Sequence, residues 1–296
     1  MKLSYQSRKS MYGRLFVSIW VIGVLLFFVT PFFKTLFFSF NTLRLDGTTG
    51  MRTEFAGLTH YIRMLSLDAE FLPKLSTVFM NLLYETPIIT AFSLFVAILL
   101  NREFRGRLFF RSVFFLPVIV MSGVVISLIK GNSGAGNLID QTKSADFFAQ
   151  ITVINDLLSG FNFGTEIITV VTEIVSRVID TVWKSGVQII LFLAGLQSIS
   201  GHLYEAAKIE GATKWEEFWK ITFPLISPVM IIAIIYTIID SFTYFDNLIM
   251  NYINTVSFVK FEYSYGSAIS MVYCLIIIVF IGIVTFLLRR ITGDKS

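Results

Sequence analysis

The chain has 296 residues, of which 55% are hydrophobic and 15% charged, with a mean hydropathy of +0.74 and a formal charge of +4. That balance excludes an ordinary soluble domain and points to lipid as the solvent. A single cysteine, Cys274, excludes an intrachain disulfide, and two distant histidines, His60 and His202, give no support to a structural zinc cluster.

The apolar residues fall in blocks of about 20, the length that crosses a bilayer's hydrocarbon core as a helix. Six blocks are predicted in chain order: Leu15 to Phe33, Leu75 to Leu100, Phe109 to Ile129, Gly186 to Ser200, Pro224 to Phe245 and Gly266 to Leu288. The fourth is the shortest and is expected to begin nearer Ile179. Backbone amides find no water partner in lipid, and no period-2 pattern suggests a barrel, so the expectation is an all-α integral membrane protein with one transmembrane domain over 1–296. The first block follows basic residues as a signal peptide would. It is too long for one and lacks a small-residue cleavage site before Pro31 and Lys34, so it is expected to be retained.

Orientation follows from the Lys and Arg residues between the blocks. Segments 1–14, 101–111, 202–222 and 289–296 carry 14 in 54 positions, against 10 in 115 for 34–74, 130–184 and 246–264. The denser set belongs inside, which puts both termini and the segment 202–224 in the cytoplasm and 130–184 outside. The net positive charge then needs no nucleic-acid partner.

The long outer segment starts as loop, GNSGAGNLIDQTKSADFF. It continues as TEIITVVTEIVSRVID, where Glu173 and Arg177 stand at i,i+4 and the apolar spacing is that of a helix on a surface. Such a helix either caps the bundle at the membrane interface or forms a platform for an external partner, the second reading resting on the segment's length, glycines and scattered acids between Gly131 and Asp180. GNSGAGNL imitates a phosphate-binding loop, but Asn137 and Leu138 occupy the positions where Lys and Ser or Thr are required. It also misses the nucleophile elbow, because Ala135 replaces the last glycine. No H-E-x-x-H occurs, and nothing assembles a nucleophile, base and orienting group.

Among twenty acids only Glu85, in the second block, and Asp240, in the fifth, fall well inside apolar spans. An intramembrane carboxylate is costly unless it faces protein or water. Both therefore stand either for helix breaks with a satisfied partner or for a polar pathway. In the second reading Tyr84 beside Glu85, and Tyr244 and Asn247 at spacings of four and three from Asp240, would join carboxylates to rings and an amide that could hold a sugar. The last three share a face if the fifth helix is continuous.

One of the chain's most polar runs, EAAKIEGATKWEEFWKITFP, lies between the fourth and fifth blocks. LYEAAKIE is a good helix former, Gly211 permits a turn that side-chained residues resist, and TKWEEFWKITF resumes helical spacing up to Pro224. Trp215, Phe218, Trp219 and Thr222 recur at spacings of three and four. Two tryptophans and a phenylalanine in a cytoplasmic loop either anchor a helix end at the interface or dock into a partner.

Glu205, Ala206, Ala207, Gly211, Ile221 and Pro224 match the loop signature E-A-A-x3-G-x9-I-x-L-P of ATP-binding-cassette importer permeases, with Phe223 where Leu is usual and Glu210 where the sugar subset often has Asp. The run from Trp183 through GVQIILFLAGLQSI also resembles the first of the paired permeases of carbohydrate importers, and looks particularly like the bacterial group serving oligosaccharide and polysaccharide uptake. The resemblance implies a six-helix type I permease with no catalytic site of its own, multi-pass in the bacterial cytoplasmic (inner) membrane. It implies that Glu205, Ala206, Ala207 and Gly211 couple to a cytoplasmic ATPase dimer, that ATP and magnesium sit on that separate chain, and that a second homologous permease and an extracytoplasmic sugar-binding protein complete the assembly. The rival from another class is a proton-coupled secondary transporter using Glu85 and Asp240.

Overall fold

The computed structural model describes residues 5–46, 50–102, 105–106, 109, 111–114, 165–244 and 247–292. The third predicted block, the loop from Gly131 with Ala135, Gly136, Asn137 and Leu138, and the segment up to residue 164 lie outside the described residues, Phe109 and 111–114 excepted. The first block is helical beyond its expected ends, as α1 (Tyr5–Val24), a π turn (Leu25–Val29) and α2 (Thr30–Ser39). Pro31, which has no N–H to give, follows closely on the π turn, where the helix changes its hydrogen-bond register.

A β-hairpin follows, which the block-by-block reading does not anticipate. β1 (Asn41–Asp46) pairs antiparallel with β2 (Gly50–Phe55), in register from Asn41↔Phe55 to Asp46↔Gly50. The alternation in TLRL and MRTEF carries it, but six-residue strands are faint beside apolar runs four times as long. The all-α expectation is corrected to mostly helical with one hairpin among the described residues.

α3 (Thr59–Ile62) and a π turn (Arg63–Leu67) lead to α4 (Phe71–Asn101), the second block. α5 (Thr165–Lys184) is the helix expected on the outer segment, and α6 (Gly186–Ser198) follows after Ser185 at a bend of 52°. At 1.5 Å per residue the 13 residues of α6 span only about 20 Å, short of a hydrocarbon core of about 30 Å. α6 is long enough to pass as a span only together with α5, across that bend. α7 (Gly201–Ile209), α8 (Lys214–Glu217) and a π turn (Phe218–Thr222) make up the polar loop. α9 (Phe223–Thr243), α10 (Leu248–Asn254), a further π turn (Thr255–Val259) and α11 (Tyr263–Thr292) complete the described chain. Four helical stretches here are long and apolar enough to cross a membrane, and the bent α5–α6 pair makes five.

Two compact units can be distinguished. The first comprises 1–78 and 244–280. Its core is built from Met64, Phe71, Ile249, Val256, Ala268, Ile269 and Tyr273, and Gly266 lets α11 pass close to Ser257, whose Oγ would lie 2.0 Å from an added Cβ. The second comprises 79–243 and 281–296. There α4, α6 and α9 pack through Val96, Ala97, Leu100, Ile189, Phe192, Leu196, Ile226 and Ala233. Gly195 is the close-approach point, since an added Cβ would meet Val229 Cγ2 at 2.9 Å.

Candidate functional site

Two places in the second unit concentrate polar chemistry. The first is the loop between α6 and α9. α7 ends in a full Schellman motif: the Ala212 N–H donates to the Ala207 carbonyl at 2.9 Å and the Gly211 N–H to the Lys208 carbonyl at 3.1 Å. Gly211 takes φ +79°, the left-handed conformation the sequence led one to expect there, and the space its Cβ would fill is open. α8 then starts on a capping box, in which the Glu216 N–H donates to Thr213 Oγ1 and the Thr213 N–H to Glu216 Oε2. The two arms are tied where Tyr204 and Thr222 share a hydroxyl hydrogen bond of 2.9 Å.

Glu205 and Ala206 lie exposed on α7, Ala207 is half-buried, and Glu205 has His202 Nδ1 at 3.4 Å. On the second arm Trp215, Trp219 and Phe223 stack in sequence, with ring centroids 5.6 and 5.1 Å apart. Ile209 is 88% exposed and Trp215 70%, so the loop presents large apolar side chains beside charged ones. Isolated exposed apolar residues mean little, but a rigidly capped cluster of them is the form of a docking surface.

The second place is the break between α5 and α6. The Lys184 ammonium meets Glu85 Oε2 at 3.0 Å, their side chains 14% and 24% exposed. Asp240, half-buried on α9, lies within electrostatic reach of the same ammonium. One turn along, the fully buried Gln188 donates from Nε2 to Thr237 Oγ1 at 3.0 Å, while its Oε1 has no partner. Ser93 Oγ stands 3.5 Å from the Ser185 carbonyl at the break itself. Glu85 is 16 residues from the end of α4, and Asp240 is 17 from the start of α9. At 1.5 Å per residue that is about 24–26 Å along each helix, most of the way across a hydrocarbon core of about 30 Å, and Asp240 stands three residues before α9 ends at Thr243.

Sequence reasoning found Glu85 and Asp240 but not Lys184, which pairs with Glu85. Its signal was present: a lysine at WKSG, where an amphipathic helix meets an apolar one. The surface reading covered Thr165 to Asp180, and Lys184 lies beyond it, part-buried beside Glu85. Tyr84 is exposed on α4 and donates to Asn81 Oδ1 at 3.1 Å. The face expected to unite Asp240, Tyr244 and Asn247 does not exist, because α9 ends at Thr243 and Asn247 is the N-cap of α10. Its Oδ1 accepts from the N–H groups of Ile249 and Met250 and from the Tyr273 hydroxyl. An asparagine preceding LIMNY is a cap signature that outweighs helical continuity.

A mostly helical chain with several helices long and apolar enough to cross a membrane, a capped polar loop between two of them and a part-buried ion pair has the architecture of a multi-pass membrane protein. No family model matches the chain. It is 29% identical to the trehalose/maltose transport system permease protein MalF of Thermococcus litoralis, over 94% of this chain and 93% of that one. Over a shorter stretch, 30% of this chain and 73% of the relative, it is 38% identical to a putative ABC transporter permease protein of Caldicellulosiruptor sp.. The fold is similar to that of a chain in a bacterial alginate ABC transporter solved in complex with an alginate pentasaccharide-bound periplasmic protein (TM-score 0.62, 18% identity, 95% of this chain and 94% of that one). The chain belongs to the ABC transporter permease family.

Proposed function

We propose that this chain is one of two different permease subunits in an ATP-driven, binding-protein-dependent oligosaccharide importer of the bacterial cytoplasmic membrane. The observation that carries the reading is the loop 202–224. Its signature residues fall on a Schellman turn at Gly211, and Trp215 and Ile209 stand exposed beside it. In this reading Glu205, Ala206, Ala207 and Gly211 rest on a cytoplasmic ATPase dimer that holds ATP and magnesium. Closure of the dimer is transmitted through the loop to alternate the access of the bundle. Oligosaccharides are favoured by the named substrate of the Thermococcus relative and by the polar groups at the break, where carboxylates and an amide can bond hydroxyls. Glu85 and Asp240, with Tyr84 beside Glu85, line the passage in this reading.

A proton-driven carrier would need Glu85 or Asp240 as its proton site, and Glu85 is already bonded to Lys184. The test is uptake of the oligosaccharide retained by the cognate binding protein, in proteoliposomes holding the full assembly. Uptake is expected only with ATP trapped on the ATPase side; uptake that follows an imposed proton gradient without ATP would overturn the reading.

A further inference from the structure

The exposed surface of α5 is divided along its length. Val170, Ile174 and Val178 are each more than half exposed, and so are the paired side chains of Glu173 and Arg177. At about 100° per residue the three aliphatic residues form one flank of the exposed strip, and the ion pair with Asp180 forms the other. Behind the aliphatic flank stand Val171, Val175, Ile179 and Val182, all half-buried, so the apolar sector of α5 is wider than the chain itself covers. The level of the helix is set by its neighbours on α4. Lys184 pairs with Glu85, and Arg177 lies within electrostatic reach of Tyr84 and Glu85. Glu85 stands about 24 Å along α4 from Asn101, near the far side of a hydrocarbon core of about 30 Å. From that level α5 departs from the direction of α6 by 52°. With α6 along the bilayer normal, it climbs about 5 Å by Val178, about 9 Å by Ile174 and about 13 Å by Val170. Those heights run from the edge of the hydrocarbon through a headgroup layer about 5–7 Å thick.

We propose that the aliphatic flank of α5 is seated in the lipid interface of the leaflet remote from the loop 202–224, with α5 crossing that interface obliquely as an anchor for the α5–α6 bend. Lipid fits this flank on two grounds. The split between an apolar and a charged flank on one exposed strip is what a helix shows when the boundary between acyl chains and water runs along it. A protein partner would draw most of its binding energy from tryptophan, tyrosine and arginine, whereas the flank offers two valines and an isoleucine, and the arginine beside it is already committed to Glu173. Glu173 and Arg177 carry no net charge as a pair and keep to the water side, so insertion is driven by apolar area and asks for no anionic lipid. The anchor holds the bend at Ser185 at a set depth while the opposite ends of α6 and α9 carry the loop.

The test is power-saturation electron paramagnetic resonance on the protein purified with its partner subunits, in liposomes of phosphatidylcholine. Cys274, the only cysteine, is replaced by Cys274→Ala, and nitroxides are attached one at a time at Val170→Cys, Glu173→Cys, Ile174→Cys and Val178→Cys. All four positions are exposed, so the labels displace no packing. Collisions are measured with oxygen, which concentrates in acyl chains, and with a nickel chelate, which stays in water. The oxygen-to-nickel ratio should be highest at Val178, lower at Ile174 and lowest at Val170, and at Ile174 it should exceed that at the adjacent Glu173 by about threefold or more. Exclusion of both reagents from Ile174 and Val178 would mean that a protein covers the flank, and would overturn the proposal. Nickel access at those two positions equal to that at Glu173 would mean that the flank faces water, and would overturn it as well. Neither result bears on the transport reading, which rests on the loop 202–224.

Discussion

Asp68 gathers four donors from three elements. Its Oδ1 accepts the N–H groups that open α4, from Glu70 at 2.8 Å and Phe71 at 3.1 Å, and its Oδ2 accepts the hydroxyls of Tyr252 on α10 and Tyr265 on α11. Arg63 lies over the Tyr265 ring at 4.2 Å and Lys74 over the Tyr252 ring at 4.3 Å. Burial would raise the Asp68 carboxyl, but the bonds from the two tyrosines and the two N–H groups together outweigh it and hold the group below its ordinary range. A folded-state value below the unfolded one means the stabilisation is present above about pH 4 and is lost as pH falls through the lower folded value. Asp68→Asn keeps part of the cap but weakens the tyrosine bonds. It should cost about 1–2 kcal/mol at neutral pH and flatten the acid limb of a thermal-unfolding series. An unaltered acid limb would remove Asp68 from this role.

Gly211 is the other residue whose local conformation decides something. With φ at +79° and open space around its Cβ, any penalty within the chain is conformational, about 1–2 kcal/mol for an ordinary side chain. Asparagine tolerates this region far better than a β-branched residue. Gly211→Asn should therefore keep most transport activity. Gly211→Val should insert in the membrane yet lose uptake and shed the ATPase on purification. Equal behaviour of the two variants would show that the turn is not what couples.

At the scale of elements, the joint between α6 and α9 depends on Gly195. An added Cβ would approach Val229 to 2.9 Å, with both Val229 methyls and Cβ in the way. Gly195→Leu should destabilise the chain by about 1–3 kcal/mol, measured as a lowered thermal midpoint in detergent, and Val229→Ala should recover part of it. Failure of the second change to help would mean the strain is relieved elsewhere.

Elements were legible in the sequence in proportion to the length of their signal. α4, α9 and α11 begin within four residues of their predicted starts, since runs of 20 or more apolar residues have few other solutions. The hairpin Asn41–Phe55 and the cap at Asn247 were not legible, although the predicted end of the fifth block, Phe245, lies two residues from Thr243. Each is decided by a handful of residues, alternation in one case and an asparagine cap in the other. The candidate site divides in the same way. Gly211 and its turn could be expected from local chemistry, but the Lys184–Glu85 pair joins residues 99 positions apart, and no local pattern reports such a meeting.

At the scale of the whole molecule, the proposed function rests on the loop 202–224. Its order comes from the Schellman turn, the capping box and the Tyr204–Thr222 bond, while its exposed side chains are left for another chain to cover. The account therefore requires an ATP-binding partner at this surface and none on the exposed face of α5. A photo-crosslinking residue placed at Ala207 in native membranes puts this to the test, with Ile174 on the exposed face of α5 as control. The expected result is an adduct between Ala207 and an ATP-binding subunit that is absent from Ile174. Failure of Ala207 to capture such a subunit, or the same adduct from both positions, would contradict the assignment of this chain to an ATP-driven importer through the loop 202–224.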